Sequence, residues 1–113
     1  MARYCFISRV APEKIEVYRE RHAAVWPDML RALRDAGWSH YSLFLSDDGL
    51  LVGHFDAESR EAAQEAMSNT EVNRLWQAEM AKLFVGDGSP DEEFVYLPEV
   101  FNLEEQLAEA EGR

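Results

Sequence analysis

A chain of 113 residues that is 47% hydrophobic and 12% aromatic has room for one domain with one packed core and is not a disordered segment. Its 22 acidic residues against 11 basic ones give a formal charge of −11, a field that repels phosphate backbones and anionic lipid, so neither nucleic acid nor a membrane surface is an expected partner. One cysteine excludes an intrachain disulfide, and with three scattered histidines it offers no zinc-ligand pattern, so no metal is expected.

No run approaches the ~20 apolar residues of a membrane span. The first residues lack a signal-peptide core, and the cytoplasm is the expected location. Arg3 to Val10 is rich in aromatic and β-branched types and reads as a strand. Cys5 within it reads as a small buried filler. Pro12 fits the first turn of a helix running to about Val25, with Glu13 and Glu16 near the positive end of its dipole. Pro27 must break it, and a second helical stretch, Asp28 to Ala36, ends on the C-terminal cap Gly37.

Ser39 to Ser46 and Leu50 to Asp56 flank Asp47-Asp48-Gly49 and form a hairpin. Helical sequence runs from Glu58 to Met67 and again from Glu71 to Leu83, with Thr70 as an N-cap. Gly86-Asp87-Gly88-Ser89-Pro90 is a loop. A last strand is expected over Glu93 to Leu103, interrupted at Pro98, followed by an acidic tail from about Glu104. Nothing divides the chain, which is expected to form one domain over 1–113. The order β-α-β-β-α-β predicts an α+β, ferredoxin-like layer: a four-stranded antiparallel sheet with helices on one face. The strands read as apolar on both sides, as in Tyr4-Cys5-Phe6-Ile7 and Phe94-Val95-Tyr96-Leu97. The bare face therefore needs a cover, either the same sheet of a second subunit or a small-ligand cavity.

Three rings, Tyr18, His22 and Trp26, recur every fourth residue and so share a helix face. A histidine with an ordinary pKa of ~6.5 can give and take a proton near neutrality, and a neighbouring phenol can hold a hydroxyl. Tyr41 lies on a strand with Leu43 and Leu45 on its face. Trp76 belongs to the stripe Val72, Leu75, Trp76, Met80 and Leu83. Each of these could simply be core. Together, aromatic rings around one polar group suit the apolar C–H face of a sugar. His40 and His54 read as structural, and Glu58 to Glu65 and Asp91 to Glu93 as solvated acidic faces. No phosphate loop, Cys–His pair or serine elbow is present.

The run Tyr18-Arg19-Glu20-Arg21-His22-Ala23-Ala24-Val25-Trp26-Pro27 resembles the Y-x-x-R-H-x-x-x-W-P segment of the L-rhamnose mutarotases. The likeness continues in Ala36-Gly37, His40 to Leu45, Arg74-Leu75-Trp76, Ser89-Pro90 and Leu97 to Phe101. It implies a dimeric α/β-barrel and a cofactor-free isomerase that interconverts sugar anomers. It also implies that His22 is the proton donor and that Tyr18, Tyr41 and Trp76 bind the sugar. Two positions depart from the pattern: Gln77 stands in place of a second tryptophan, and Gly88 in place of an asparagine. Gln77 is then a sugar-binding residue of a different kind, an amide in place of an indole, and the sugar is L-rhamnose, a related 6-deoxyhexose such as L-fucose, or another aldose. Two other readings of the same residues are a cofactor-free monooxygenase of the same barrel type and a non-catalytic sugar-binding module.

Overall fold

The computed structural model describes residues 1–86 and 88–112; the loop expectation at Asp87 lies outside them. Its strands are β1 (Ala2–Arg9), β2 (Ser39–Leu45), β3 (Leu50–Ala57) and β4 (Val95–Leu97). Its helices are α1 (Ile15–Ala23), α2 (Pro27–Asp35), α3 (Arg60–Ser68), α4 (Glu71–Ala81) and α5 (Leu103–Glu111). The four strands form one sheet in the order β2-β3-β1-β4, with every neighbouring pair antiparallel. This is the expected α+β, ferredoxin-like layering, with each helical segment split in two. No described helix is long and apolar enough to cross a membrane.

Local chemistry sets the helix ends. Pro12 opens a short 3-10 turn rather than α1 itself, and α1 stops at Ala23. Trp26, the residue before Pro27, is extended at φ −52° and ψ 130°, as the proline ring demands, so Pro27 begins a new helix. Ser59, Thr70 and Asn102 cap α3, α4 and α5 by accepting from the backbone N–H three residues on. The last strand is much shorter than expected. Pro98 removes a ladder donor, and β4 pairs with β1 only from Ile7↔Val95 to Cys5↔Leu97. The segment beyond is unpaired and leaves Val100 93% and Phe101 60% exposed, and the acidic tail is the helix α5.

β3 alternates strictly. Leu51, Gly53, Phe55 and Ala57 are buried under the helices, and the residues between them are half-exposed. The opposite face is not a second core. It presents Phe44 at 62%, Val95 at 56% and Leu97 at 45% exposure, beside half-buried Ile7 and Val52. Cys5 lies on this open face, half-buried, opposite His54 and Leu97. Gly49, at φ +96°, turns the hairpin, and a Cβ there would lie 2.4 Å from the Val10 carbonyl oxygen.

A β-bulge interrupts the pairing of β2 with β3 between Ser39 and Ser42. His40 takes up the extra residue in the left-handed region at φ 49°. Alternation would otherwise send Trp38 and Tyr41, three apart, to opposite faces. The inserted residue lets both join the helix-side core, with rings 5.0 Å apart. His40 has an anchor: its Nδ1 lies 3.1 Å from Asp56 Oδ2, and His54 Nε2 lies 3.9 Å from the other oxygen. Both histidines have a partner, Asp56, that the sequence did not reveal. The buried core has two clusters, one around Tyr18, Met29, Leu51 and Trp76, the other around Phe6 and Phe55. Trp38 and Leu43 pack against both.

Candidate active site

Where the two clusters meet, the helices stand off the sheet and leave a cavity of about 320 Å³, at the small end of the ~300–1,000 Å³ typical of small-molecule sites. It lies on the helix side of the sheet, not on the bare face. His22, Tyr41, Trp76 and Gln77 line it. A recess of about 40 Å³ is lined by these four together with Tyr18, so all five residues singled out from sequence converge there.

Helical spacing builds the central pair. Tyr18 and His22 lie one turn apart on α1, with ring centroids 4.0 Å apart and planes at 21°. Trp76 closes the other side of His22 edge-on, at 5.4 Å and 80°. The third ring of the four-residue series does not continue the stack. Displaced by the break at Pro27, Trp26 packs edge-on against Trp76 at 4.9 Å.

The His22 Nδ1 lies 3.0 Å from the Tyr18 carbonyl oxygen. A carbonyl can only accept, so Nδ1 carries the hydrogen and Nε2 is left as the nitrogen with the free lone pair. Burial lowers the His22 pKa below 6.5, with the bond to the Tyr18 carbonyl opposing part of that effect. The resting ring is therefore neutral at pH 7, with a lone pair on Nε2. Burial raises the Tyr18 and Tyr41 phenols, so both stay protonated at neutral pH.

One wall is apolar, formed by Val25, Met29, Leu30 and Leu33 among others. The rest of the lining includes a polar group, and sequence reasoning missed most of it. Asn73, only 5% exposed, donates from Nδ2 to Asp91 Oδ2 at 3.1 Å and accepts at Oδ1 from Gln77 Nε2 at 3.1 Å. Ser89 Oγ donates to Asp91 Oδ1 at 2.6 Å. Asp91 is thus half-buried on the cavity wall rather than part of a solvated face. The available signal was helical spacing: Asn73 precedes Trp76 by three residues and Gln77 by four, which places the three side by side on α4.

Residues 3–103 match the family model of L-rhamnose mutarotase. The L-rhamnose mutarotase of Bacillus subtilis is 35% identical over 105 residues, covering 92% of this chain and all of that protein. Among solved structures, the L-rhamnose mutarotase of Formosa agariphila superposes with a TM-score of 0.74 at 26% identity, over 91% of this chain and 99% of its own. A Nitrosomonas europaea protein assigned as an antibiotic biosynthesis monooxygenase superposes with a TM-score of 0.59 at 15% identity, over 88% of this chain and 89% of that one, a likeness of fold alone.

Proposed function

The chain belongs to the L-rhamnose mutarotase family, and on that premise we propose that it interconverts the α and β anomers of L-rhamnose or a related 6-deoxyhexose, with His22 as the proton-transfer group. The observation that carries this reading is the Tyr18 carbonyl holding His22 Nδ1, which leaves Nε2 as the free nitrogen of a ring that lines the cavity beside Trp76. Opening a cyclic hemiacetal needs a proton on the ring oxygen and the loss of one from the anomeric hydroxyl. Neutral Nε2 takes the anomeric hydroxyl proton, and the imidazolium so formed gives it to the ring oxygen as the bond from that oxygen to the anomeric carbon breaks. Once the freed aldehyde has rotated, Nε2 takes the hydroxyl proton back as that oxygen adds to the other face and returns it to the new anomeric oxygen. The lowered pKa makes the imidazolium a readier donor.

Tyr41 and Trp76 offer the sugar an aromatic wall and a phenol, and Gln77 offers an amide. Tyr18 reaches only the inner recess, where its phenol meets the space beside His22. No described lysine or arginine lines the cavity, which suits a neutral sugar and disfavours phosphorylated or acidic ones. The monooxygenase reading has only a shared fold behind it, and the non-catalytic one leaves the freed Nε2 without a role.

A homodimer forms part of the same proposal. The apolar strip of Phe44, Val95 and Leu97 is large for an uncovered sheet face, and a second copy laid against it would complete the barrel. A cytoplasmic location accords with a lone, unpaired cysteine.

The test is His22→Gln. Saturation-transfer NMR on L-rhamnose should show anomer exchange slowed by about 10²–10⁴-fold in a protein with an unchanged fold. Undiminished exchange would remove His22 from the mechanism.

A further inference from the structure

The polar part of the cavity lining has a construction that the proton transfer does not use. Asn73 lies under the cavity with both functional ends engaged: its amide N–H₂ points at Asp91, and its oxygen accepts from Gln77. The Ser89 hydroxyl fixes the second carboxylate oxygen of Asp91. Neither donor is charged, and no lysine or arginine is paired with Asp91 among the described residues. The Asp91 carboxyl group therefore has its orientation set from two sides and keeps unused acceptor sites. A carboxylate with two oxygens has about four acceptor sites, and the two bonds from protein leave the others for a ligand.

Sugars are recognised by planar groups that accept or donate to neighbouring hydroxyls while the ring's C–H face lies on an aromatic or apolar wall. This cavity has both elements: Trp76 and the aliphatic side chains of Val25, Met29, Leu30 and Leu33 supply apolar surface, and Asn73, Asp91 and Gln77 supply polar atoms. The Asp91 and Phe94 side chains also border an adjoining hollow of about 360 Å³ that holds Gln64, Glu65 and Ser68. Asp91 thus stands at the junction of the two spaces, where a ring substituent leaving the main cavity would pass.

We propose that Asp91 is a substrate-binding residue, the acceptor for hydroxyl groups of a neutral sugar, and that Asn73 is the residue that positions it. Gln77, hydrogen-bonded to Asn73, extends the same wall, so specificity among sugars is set by this line of three side chains and not by a second indole. The inference rests on the mutarotase reading for its ligand class but not on His22 for its chemistry.

Methyl α-L-rhamnopyranoside separates the two claims, because a glycoside cannot open its ring and reports binding alone. Titrated against tryptophan fluorescence, it should bind Asp91→Asn about tenfold more weakly than the unaltered protein, the cost of one hydrogen bond to a charged group. For L-rhamnose turnover, Asp91→Asn should raise KM by a similar factor with kcat little changed. A merely structural tether between α4 and the Ser89–Asp91 segment would lower Tm without this split. Across a set of monodeoxy methyl glycosides, the one lacking the hydroxyl that Asp91 accepts should be indifferent to the substitution. Asp91→Ser is read the same way if the asparagine variant does not fold. Wild-type affinity and KM in the variant overturn the proposal, as does a loss confined to kcat or an equal loss for every deoxy sugar. Absence of anomer exchange in the unaltered protein, with glycoside binding still dependent on Asp91, would sink the mutarotase reading and leave this one standing.

Discussion

Gly53 lies in the middle of β3 beneath the Phe6 ring, and no larger residue fits there. A Cβ at this position would stand 2.1, 2.4 and 2.7 Å from three ring carbons of Phe6. Ordinary carbon contacts lie at ~3.5–4.0 Å, so Gly53→Ala must push the ring back by more than about 1 Å. Phe6 has no room to yield, being 0% exposed. It lies flat on Phe94, with centroids 3.9 Å apart and planes at 12°, and Phe94 is a wall of the cavity. Overpacking a well-filled core costs about 1–3 kcal/mol, and part of the displacement should reach the site through Phe94. Urea unfolding should therefore show a loss of that size, and saturation-transfer NMR a raised KM for the sugar. Shortening the ring in Gly53→Ala/Phe6→Leu removes the clashing carbons. The double variant should recover stability relative to the sum of the single changes, with a coupling of about 0.5–3 kcal/mol. A Gly53→Ala protein as stable as the parent, or a double variant with strictly additive losses, would refute the packing argument.

Two further outcomes follow from the geometry. His22 binds its proton less tightly in the fold than the ~6.5 of a free histidine, so the unfolded chain holds more protons between those two pKa values. The His22 contribution to stability is then complete above about pH 6.5 and declines as the pH falls below it, levelling once the buried ring is itself charged. An imidazole NMR titration alongside unfolding curves from pH 7.5 to 5 checks the sign; a His22 midpoint above that of a free histidine would contradict it. Phe44→Asp, on the exposed face of the sheet, should leave the fold intact and shift sedimentation from dimer to monomer. An unchanged sedimentation coefficient would move the subunit contact elsewhere.

Much of this protein is readable from its sequence, for physical reasons that can be named. Tyr18 and His22 stack because four residues make one helical turn, and Pro27 breaks the helix because of its own ring, so both features are local. Thr70 caps α4 through a bond to the third residue on, another short-range rule. What escapes is whatever depends on an unseen partner. The last strand seemed long because Val100 and Phe101 are good strand residues, yet its pairing with β1 ends at Leu97, just before Pro98, although β1 itself runs on to Ala2. Asp91 looked solvated because it sits in an acidic run, while its partners Asn73 and Ser89 come together only in the fold. Likewise no pattern marks His40 as a bulge residue, since Asp56 holds it from the next strand.

That bulge fixes how the pocket can change over time. Exchanging one ring for another at Trp38 or Tyr41 alters the lining and leaves its frame intact. Losing or gaining a single position between them would turn one of the two rings out to the opposite side of the sheet. Variation in sugar preference is therefore open to point replacement along this wall and closed to insertion or deletion within it.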